Sequence, residues 1–523
     1  MESLLHTRMN QLHAAREKSG LGGGIEKTTK LRNQGKKTAR ERLALLLDAD
    51  SFLETNPLIG HLGAAPGDGI VAGFGTVWDN KVSVYSQDAT VKGGSIGREH
   101  GWRMYRSIER ALELRIPLIG IHDSPGARLP GAKEMNILSE QSRSFFADYD
   151  QKHGGSVFYP NTEASGVIPQ ISAIMGSCGG ISVYSPALTD FIFMVDKTSH
   201  MFITGPKVVK AVLGEEISME DLGGAATHAQ ITGVCDFRCA TEQECLEQIR
   251  RLLSFLPSHC DTAPPAFACD DDINRRCPEL TRIVPDSANK PYDVIEVIRA
   301  LVDRNDFLEV KAEFAREVVV GFGRMDGKTV GIVANQPKVL AGAMTTDSSD
   351  KQARFIRFCD SFNIPLLFLV DTPAYMPGSA QEHAGIIRHG AKVLYALCEA
   401  RVPRISLVLR KAYGGGNLGM GVLPGMGTDI VLNWPLVETG ILGAQQSVAL
   451  LFAGQGLSQE QLADKLQQYR ETYANPIYDV SSNLNVENVI SPDETRTRLI
   501  HYFRLLEGKK RPHFRKRHGN IPL

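Results

Sequence analysis

A long internal repeat constrains this chain more than any other feature. Residues 116–125 read IPLIGIHDSP and residues 364–373 read IPLLFLVDTP, an offset of 248. Upstream, the Gly-Phe-Gly at Gly73 returns at Gly321 with the same offset, each copy followed by a polar turn and a β-rich run, VSVYSQ and VGIVANQ. Downstream, PQIS from Pro169 matches PRIS from Pro403, now 234 apart, and Thr189-Asp190 matches Thr428-Asp429, both opening an apolar run. The shrinking offset puts about 14 extra residues in the first copy, between roughly 130 and 160. Matches of this length at a held spacing mean one structural plan used twice.

Each half reads strand, Gly-rich turn, helix, strand, turn, helix. The spacing predicts a helix over 97–114 with Trp102, Tyr105, Ile108 and Leu112 inward, and a second over 349–363 with Phe355, Ile356, Cys359 and Phe362 inward. The strands that follow are short, nearly unbroken apolar runs, the pattern of a sheet covered on both faces. This is repeated α/β architecture with right-handed crossovers expected. Residues 256–291, rich in Pro and Asp, read as a linker crossing the surface, which sets domains at 1–262 and 263–523. Thr38-Ala-Arg-Glu41 is a capping box opening a docking helix. At the N-terminus, Leu4, Leu5, Met9 and Leu12 fall on one face of an amphipathic surface helix.

At 523 residues the chain is too long for one core. With 42% hydrophobic and 22% charged residues it has a globular composition, and a net charge of −1 exerts no general pull on nucleic acid or anionic membranes. No apolar stretch reaches the roughly 18 to 20 residues of a membrane span, and the N-terminus lacks the apolar core of a secretory signal. Of nine cysteines only Cys235, Cys239 and Cys245 cluster, with no zinc-ribbon spacing. They read as reduced thiols in a cytoplasmic protein, and no metal site is expected.

The usual catalytic signatures are missing: no G-x-S-x-G elbow, no H-E-x-x-H and no Walker A loop. The run GLGGGIEKT from Gly20 lacks the Gly-Lys pair of a phosphate loop. What stand out are two glycine turns after matched strands, Gly176-Ser-Cys-Gly-Gly-Ile-Ser-Val-Tyr184 and Ala412-Tyr-Gly-Gly-Gly-Asn-Leu-Gly-Met420. Such turns often do no more than join strand to helix. Glycines there also let a ligand approach the backbone and point amide N–H groups at developing negative charge, as a thioester enolate requires. Asp123 and Asp371 read as turn formers at strand ends.

The segments SQDATVKGGSIG (86–97), ASGVIPQIS (164–172), VYSPALTDFIFMVDKTSHMFITGPKVVK (183–210), DLGGAATH (221–228), VDTPAYMPGSAQEHAGIIRHGAK (370–392), RKAYGG (410–415) and RHGNIPL (517–523) resemble the carboxyltransferase (beta) subunits of biotin-dependent propionyl-CoA and acetyl-CoA carboxylases. The resemblance runs from about Lys30 to the end. It implies two tandem crotonase-like domains and transfer of CO2 between carboxybiotin and the α-carbon of a short or medium acyl-CoA. It also implies that Gly415 and Gly416 donate amides to the thioester oxygen, and Gly180 and Ile181, beside Gly179, to the biotin ureido oxygen. Ile181 departs from the family, which commonly has glycine there. Leu418 occupies the position that selects acyl length, where an apolar residue suits an uncharged acyl group. Arg128 is placed to pair with a CoA phosphate or to hold its loop, and the segment after it to line the acyl pocket. The decarboxylated ureido can itself accept the α-proton, so no protein base is required.

The chain has neither an ATP-binding segment nor the biotin-accepting Met-Lys-Met, so the resemblance implies a biotin carboxylase/biotin carrier partner, and a homo-oligomer, a hexamer by family likeness. Two further readings stay open: the alpha subunit of a biotin-dependent, sodium-pumping glutaconyl-CoA or methylmalonyl-CoA decarboxylase, and a non-catalytic assembly paralogue.

Overall fold

The repeat carries through to the fold strand for strand. The computed structural model describes residues 3–60, 65–128, 157–287, 290–473, 475–481, 484–509 and 518–523. The chain divides into two units, Met1–Thr262 and Ala263–Leu523, each built on one mixed sheet.

In the first unit the strands are β1 (Leu53–Glu54), β2 (Ile70–Val77), β3 (Asn80–Gln87), β4 (Leu118–Ser124), β5 (Gln170–Gly179), β6 (Phe191–Val195), β7 (His200–Phe202) and β8 (Phe237–Cys239). Their order is β1-β2-β3-β4-β5-β6-β8, with β7 beside β5. In the second, β9 (Phe307–Val310), β10 (Val318–Met325), β11 (Lys328–Asn335), β12 (Leu366–Thr372), β13 (Arg404–Tyr413), β14 (Ile430–Asn433), β15 (Glu438–Gly440) and β16 (Asn488–Val489) run β16-β14-β13-β12-β11-β10-β9, with β15 beside β13. The antiparallel hairpins β2–β3 and β10–β11 share one register, Ile70 opposite Gln87 and Val318 opposite Asn335. Their two-residue turns, Trp78-Asp79 and Asp326-Gly327, have positive φ at both positions, the geometry that matches strand twist. From β3 and β11 onward the pairing is parallel. β4 and β12 are buried at all seven positions, as strands covered on both faces are. This is the duplicated α/β architecture that the repeat predicts, and it agrees with the crotonase-like domains that the resemblance implies.

The first long helix spans Arg98–Leu114, stopping where Arg115 turns left-handed. Ile108 is buried in the core with Ile70, Ala72 and Tyr85, Leu112 packs against it, and Tyr105 is buried. Trp102, expected inward, is 38% exposed and stacks on Tyr105 with 5.6 Å between centroids. The second long helix, Thr346–Ser361, starts three residues before the expected position because Thr345 and Ser348 form a capping box. It ends before Asn363, which has φ +55°. Phe355, Ile356, Cys359 and Phe362 are buried, as the spacing indicates.

The Thr38–Glu41 capping box is present, with Glu41 N donating to Thr38 Oγ1 at 3.2 Å and Thr38 N to Glu41 Oε2 at 2.8 Å. The N-terminal helix spans Leu4–Gly20, with Leu4, Leu5 and Met9 exposed. The stretch expected to be a surface linker belongs partly to the second unit's core. Cys277 and Leu280 are fully buried, and Ala266 bridges to Lys328. One of its acidic residues has a reason to be there: Asp271 receives Arg275 Nε at 2.7 Å and the buried Arg496 Nη2 at 3.4 Å. The segment after Arg128 expected to line the acyl pocket lies outside the described residues.

Candidate functional site: the two glycine turns

Strand register locates the turns. Ser124 stands beside Cys178 in one sheet and Thr372 beside Ala412 in the other, so β5 and β13 correspond residue for residue. Each chain leaves its strand through a left-handed glycine, Gly180 (φ +60°) and Gly414 (φ +49°), where a side chain would be strained. Each then enters a short helical turn, Gly180–Val183 or Gly414–Gly419. Amides in a first helical turn have no acceptor within the helix. Under this correspondence Gly415 and Gly416 match Ile181 and Ser182. The two expected donor pairs are therefore one residue out of step, since Gly180–Ile181 begins one amide earlier.

The second turn is the more closely built. A Cβ on Gly416 would lie 2.9 Å from Thr372 Cγ2 and 3.2 Å from Ala374 Cα, and one on Gly415 3.2 Å from Tyr375 Cδ2. Neither Thr372 nor Tyr375 offers a base, and burial pushes the Tyr375 phenol up to about 12. At the first turn, the space beside Gly180 is open, with nothing within 4 Å of a Cβ placed there. Gly179 is bounded by Pro125 O at 3.3 Å and Phe202 Cε2 at 3.5 Å from such a Cβ. Ile181 is 46% exposed, so its side chain stands out from the turn. Leu418 is exposed at the end of the second turn.

The strand-end aspartates are not turn formers. Asp123 is buried and receives Lys36 Nζ at 2.6 Å and Arg42 Nη2 at 3.1 Å. Arg42 also reaches Glu242 Oε1 at 2.6 Å. Asp371 is fully buried, with Arg410 Nε at 3.1 Å and Lys411 Nζ at 3.6 Å. Burial pushes its carboxyl up, against the pull of Lys411 and Arg410. Arg410 is held further by Ser287 O at 2.6 Å and Lys290 O at 2.9 Å, and it stacks over Tyr292. These pairs pin the strands from which the turns spring.

Arg128 has its donors engaged within its own unit. They go to Asp68 Oδ1 at 2.5 Å, Ser95 O at 2.8 Å and Ser95 Oγ at 3.2 Å. Of its two expected roles, the geometry carries the loop-holding one. A buried polar core beneath β3 and β4 has no counterpart in the sequence reading. His122 Nε2 lies 3.3 Å from both Tyr85 Oη and Ser172 Oγ, and His100 Nε2 lies 3.1 Å from Gln87 Nε2. Burial lowers His122 to about 3, and His100 to about 4 against the pull of Asp68. Among the described residues no group of three His, Cys, Asp or Glu is placed to hold a metal, and no helix is long and apolar enough to cross a membrane.

Comparison with known proteins gives this geometry a context. Residues 30–521 match the family model described as the carboxyl transferase domain. The chain is 43% identical over 533 residues to the methylmalonyl-CoA decarboxylase subunit alpha of Propionigenium modestum, covering 100% of each. It is 44% identical over 531 residues to the propionyl-CoA carboxylase carboxyltransferase subunit of Haloferax mediterranei, covering 99% of this chain and 100% of that one. Among solved structures, the hexameric transcarboxylase 12S with hydrolysed methylmalonyl-CoA bound superposes over 100% of both chains, with a TM-score of 0.92 and 39% identity.

Proposed function

Because this chain belongs to the carboxyl transferase family of biotin-dependent acyl-CoA carboxylases, we propose that it moves CO2 between carboxybiotin on a separate carrier and the α-carbon of a short acyl-CoA, with propionyl-CoA and methylmalonyl-CoA as the first pair to test. The observation that carries this reading is the Gly415–Gly416 turn, where backbone amides open a helical turn and a side chain on Gly416 would press against Thr372 and Ala374.

A thioester α-proton is hard to remove because the enolate is unstable in water. Amides already aimed at the enolate oxygen stabilise it without reorganisation. In this reading Gly415 and Gly416 hold the thioester oxygen, and apolar Leu418 faces an uncharged acyl group. The open space beside Gly180 fits a ring brought close to the backbone amides of Gly180 and Ile181. When bound, carboxybiotin supplies the CO2 and then the ureido nitrogen that takes the α-proton.

A biotin-bearing partner with biotin carboxylase activity follows from this reading, as does assembly with copies of itself. Each unit exposes a matched apolar edge: Ile203, Val212 and Leu213 in one, Ile441, Leu450 and Leu451 in the other. A hexamer is the state proposed, in keeping with the transcarboxylase 12S neighbour. All nine cysteines are free thiols, which suits a reducing cytoplasm.

The test is to incubate the purified protein with carboxybiotin and a panel of acyl-CoA thioesters, or with biotin and a panel of carboxyacyl-CoA thioesters, following carboxyl transfer. Transfer to or from the propionyl/methylmalonyl pair is expected, and absence of transfer with every thioester overturns the reading. The methylmalonyl-CoA decarboxylase relative favours a second reading, in which the same site runs toward decarboxylation. Microscopic reversibility gives both directions one site, so the partner that loads or drains carboxybiotin decides between them.

A further inference from the structure

The Gly414–Gly419 helix is tethered from behind by a side chain. The carbonyls of Gly416, Asn417 and Leu418 accept from the amides of Met420, Val422 and Gly421 at 3.0, 3.2 and 3.1 Å. The next carbonyl, Gly419 O, accepts from Gln352 Nε2 at 2.5 Å. Gln352 is fully buried on the helix Thr346–Ser361, yet its Oε1 has no hydrogen-bond partner. The Tyr375 hydroxyl is buried as well, beside the Ser349 side chain.

The Tyr375 ring runs along the same turn. A Cβ on Gly415 would fall 3.2 Å from its Cδ2, and one on Gly419 2.6 Å from its hydroxyl. On its other side a Cβ on Gly390 would lie 3.4 Å from Cζ. The backbone around Tyr375 is fixed in turn: Met344 N donates to Ala374 O at 3.1 Å and Met376 N to Met344 O at 2.7 Å. Met344 immediately precedes Thr345, the N-cap of the helix that carries Gln352. The Met344–Tyr375 bridge thus ties the segment that carries Tyr375 to the start of the helix that carries Gln352, and both side chains reach Gly419.

We infer that Gln352 and Tyr375 form a positioning pair that sets the aim of the Gly415 and Gly416 amides. Gln352 tethers the far end of the donor helix, and Tyr375 walls its near end. Neither residue reacts; each acts through the turn, where small displacements from productive geometry cost rate steeply. The inference rests on the proposed role of those two amides.

Four variants assayed for transfer beside the unaltered protein test it. Gln352→Met keeps the volume and removes the donor. It is expected to lower kcat about tenfold or more while KM for the acyl-CoA moves by less than about twofold. In Gln352→Glu, a protonated carboxyl can still donate to Gly419 O, whereas an ionised one repels it. Its rate relative to the unaltered protein therefore rises as pH falls from about 8 to about 6, a range that a buried carboxyl pushed up by desolvation reaches. The Gln352→Met ratio stays flat over the same range. Tyr375→Leu, which removes the wall, combined with Gln352→Met costs less than the product of the two single losses, because both act on one turn. Unchanged kcat in Gln352→Met, a loss carried by KM, a Gln352→Glu ratio that ignores pH, or losses that simply multiply would each overturn the inference. If the unaltered protein transfers nothing, it is the proposed function that fails.

Discussion

A side chain on Gly176 would collide with the Asp123 carboxylate and come within 2.7 Å of Lys36 Nζ. This glycine is what admits a lysine from the N-terminal region to the end of an inner strand. The corresponding residue of the second unit is Arg410, which reaches its own strand-end carboxylate, Asp371, directly from β13. The same buried carboxylate is thus neutralised in two ways, by a cation on the neighbouring strand or by cations from elsewhere passing through a gap in that strand. Gly176→Ala is expected to push Lys36 from Asp123 and destabilise the protein by about 3–5 kcal/mol, the scale for breaking a buried ion pair. A denaturant melt checks this, and an unchanged midpoint would show that Arg42 alone satisfies Asp123.

The matched apolar edges predict a loss of assembly. Leu450→Glu combined with Leu451→Glu places two charges on a face that is apolar and exposed in the isolated chain, a kind of patch that marks contact surfaces. Light scattering should show a smaller particle than the unaltered protein, with circular dichroism unchanged. An unaltered mass would place the subunit contacts elsewhere.

His100 and His122 predict a pH dependence with a definite sign. Both are buried and neutral, lowered to about 4 and about 3, against about 6.5 for an unfolded histidine. As pH falls below about 6.5 the unfolded chain takes up protons that the folded chain refuses, so stability is lost with falling pH, by about 3 kcal/mol or more per site when fully developed. Urea melts between pH 7.5 and pH 5 should show this slope. His122→Gln, if folded, should flatten it, and a slope identical to that of the unaltered protein would assign the effect to other groups.

What the sequence disclosed and what it hid divide along physical lines. Strand pairing follows from apolar runs and turn glycines, which are local signals, so β2 to β5 and their repeats were legible, as was the Thr38–Glu41 box. Asp123 was misread because its partners Lys36 and Arg42 are far along the chain and the space between them depends on a missing side chain at Gly176. Gln352 sits in an amphipathic helix where a glutamine reads as solvent-facing; nothing in its neighbourhood announces a bond to Gly419, 67 residues on. The helix start at Thr346 escaped because its capping box uses Ser348 where a glutamate is the usual sign. The stretch around Cys277 looked like a linker because its aspartates signal exposure, and the buried arginine that Asp271 pairs with lies near the other end of the chain.

Three substitutions separate chemistry from scaffolding around the second turn. Gly416→Val forces a branched side chain against Thr372 and Ala374, displacing an amide proposed to hold the thioester oxygen. Transfer is expected to fall roughly 100-fold or more, the scale of losing one oxyanion donor, with the circular dichroism spectrum retained. Asp371→Asn acts otherwise: it leaves Arg410, 2% exposed, without its counter-charge, a change that costs about 3–5 kcal/mol. Its signature is a lowered melting temperature, with activity falling only as folded protein is lost. His383 is exposed on the short helix Ser379–Ala384, so His383→Ala should change neither stability nor rate by more than about twofold. Transfer rates per folded molecule, measured alongside thermal melts, read all three. If His383→Ala abolishes transfer while Gly416→Val retains it, the backbone amides are not the donors and a side-chain base must take their place.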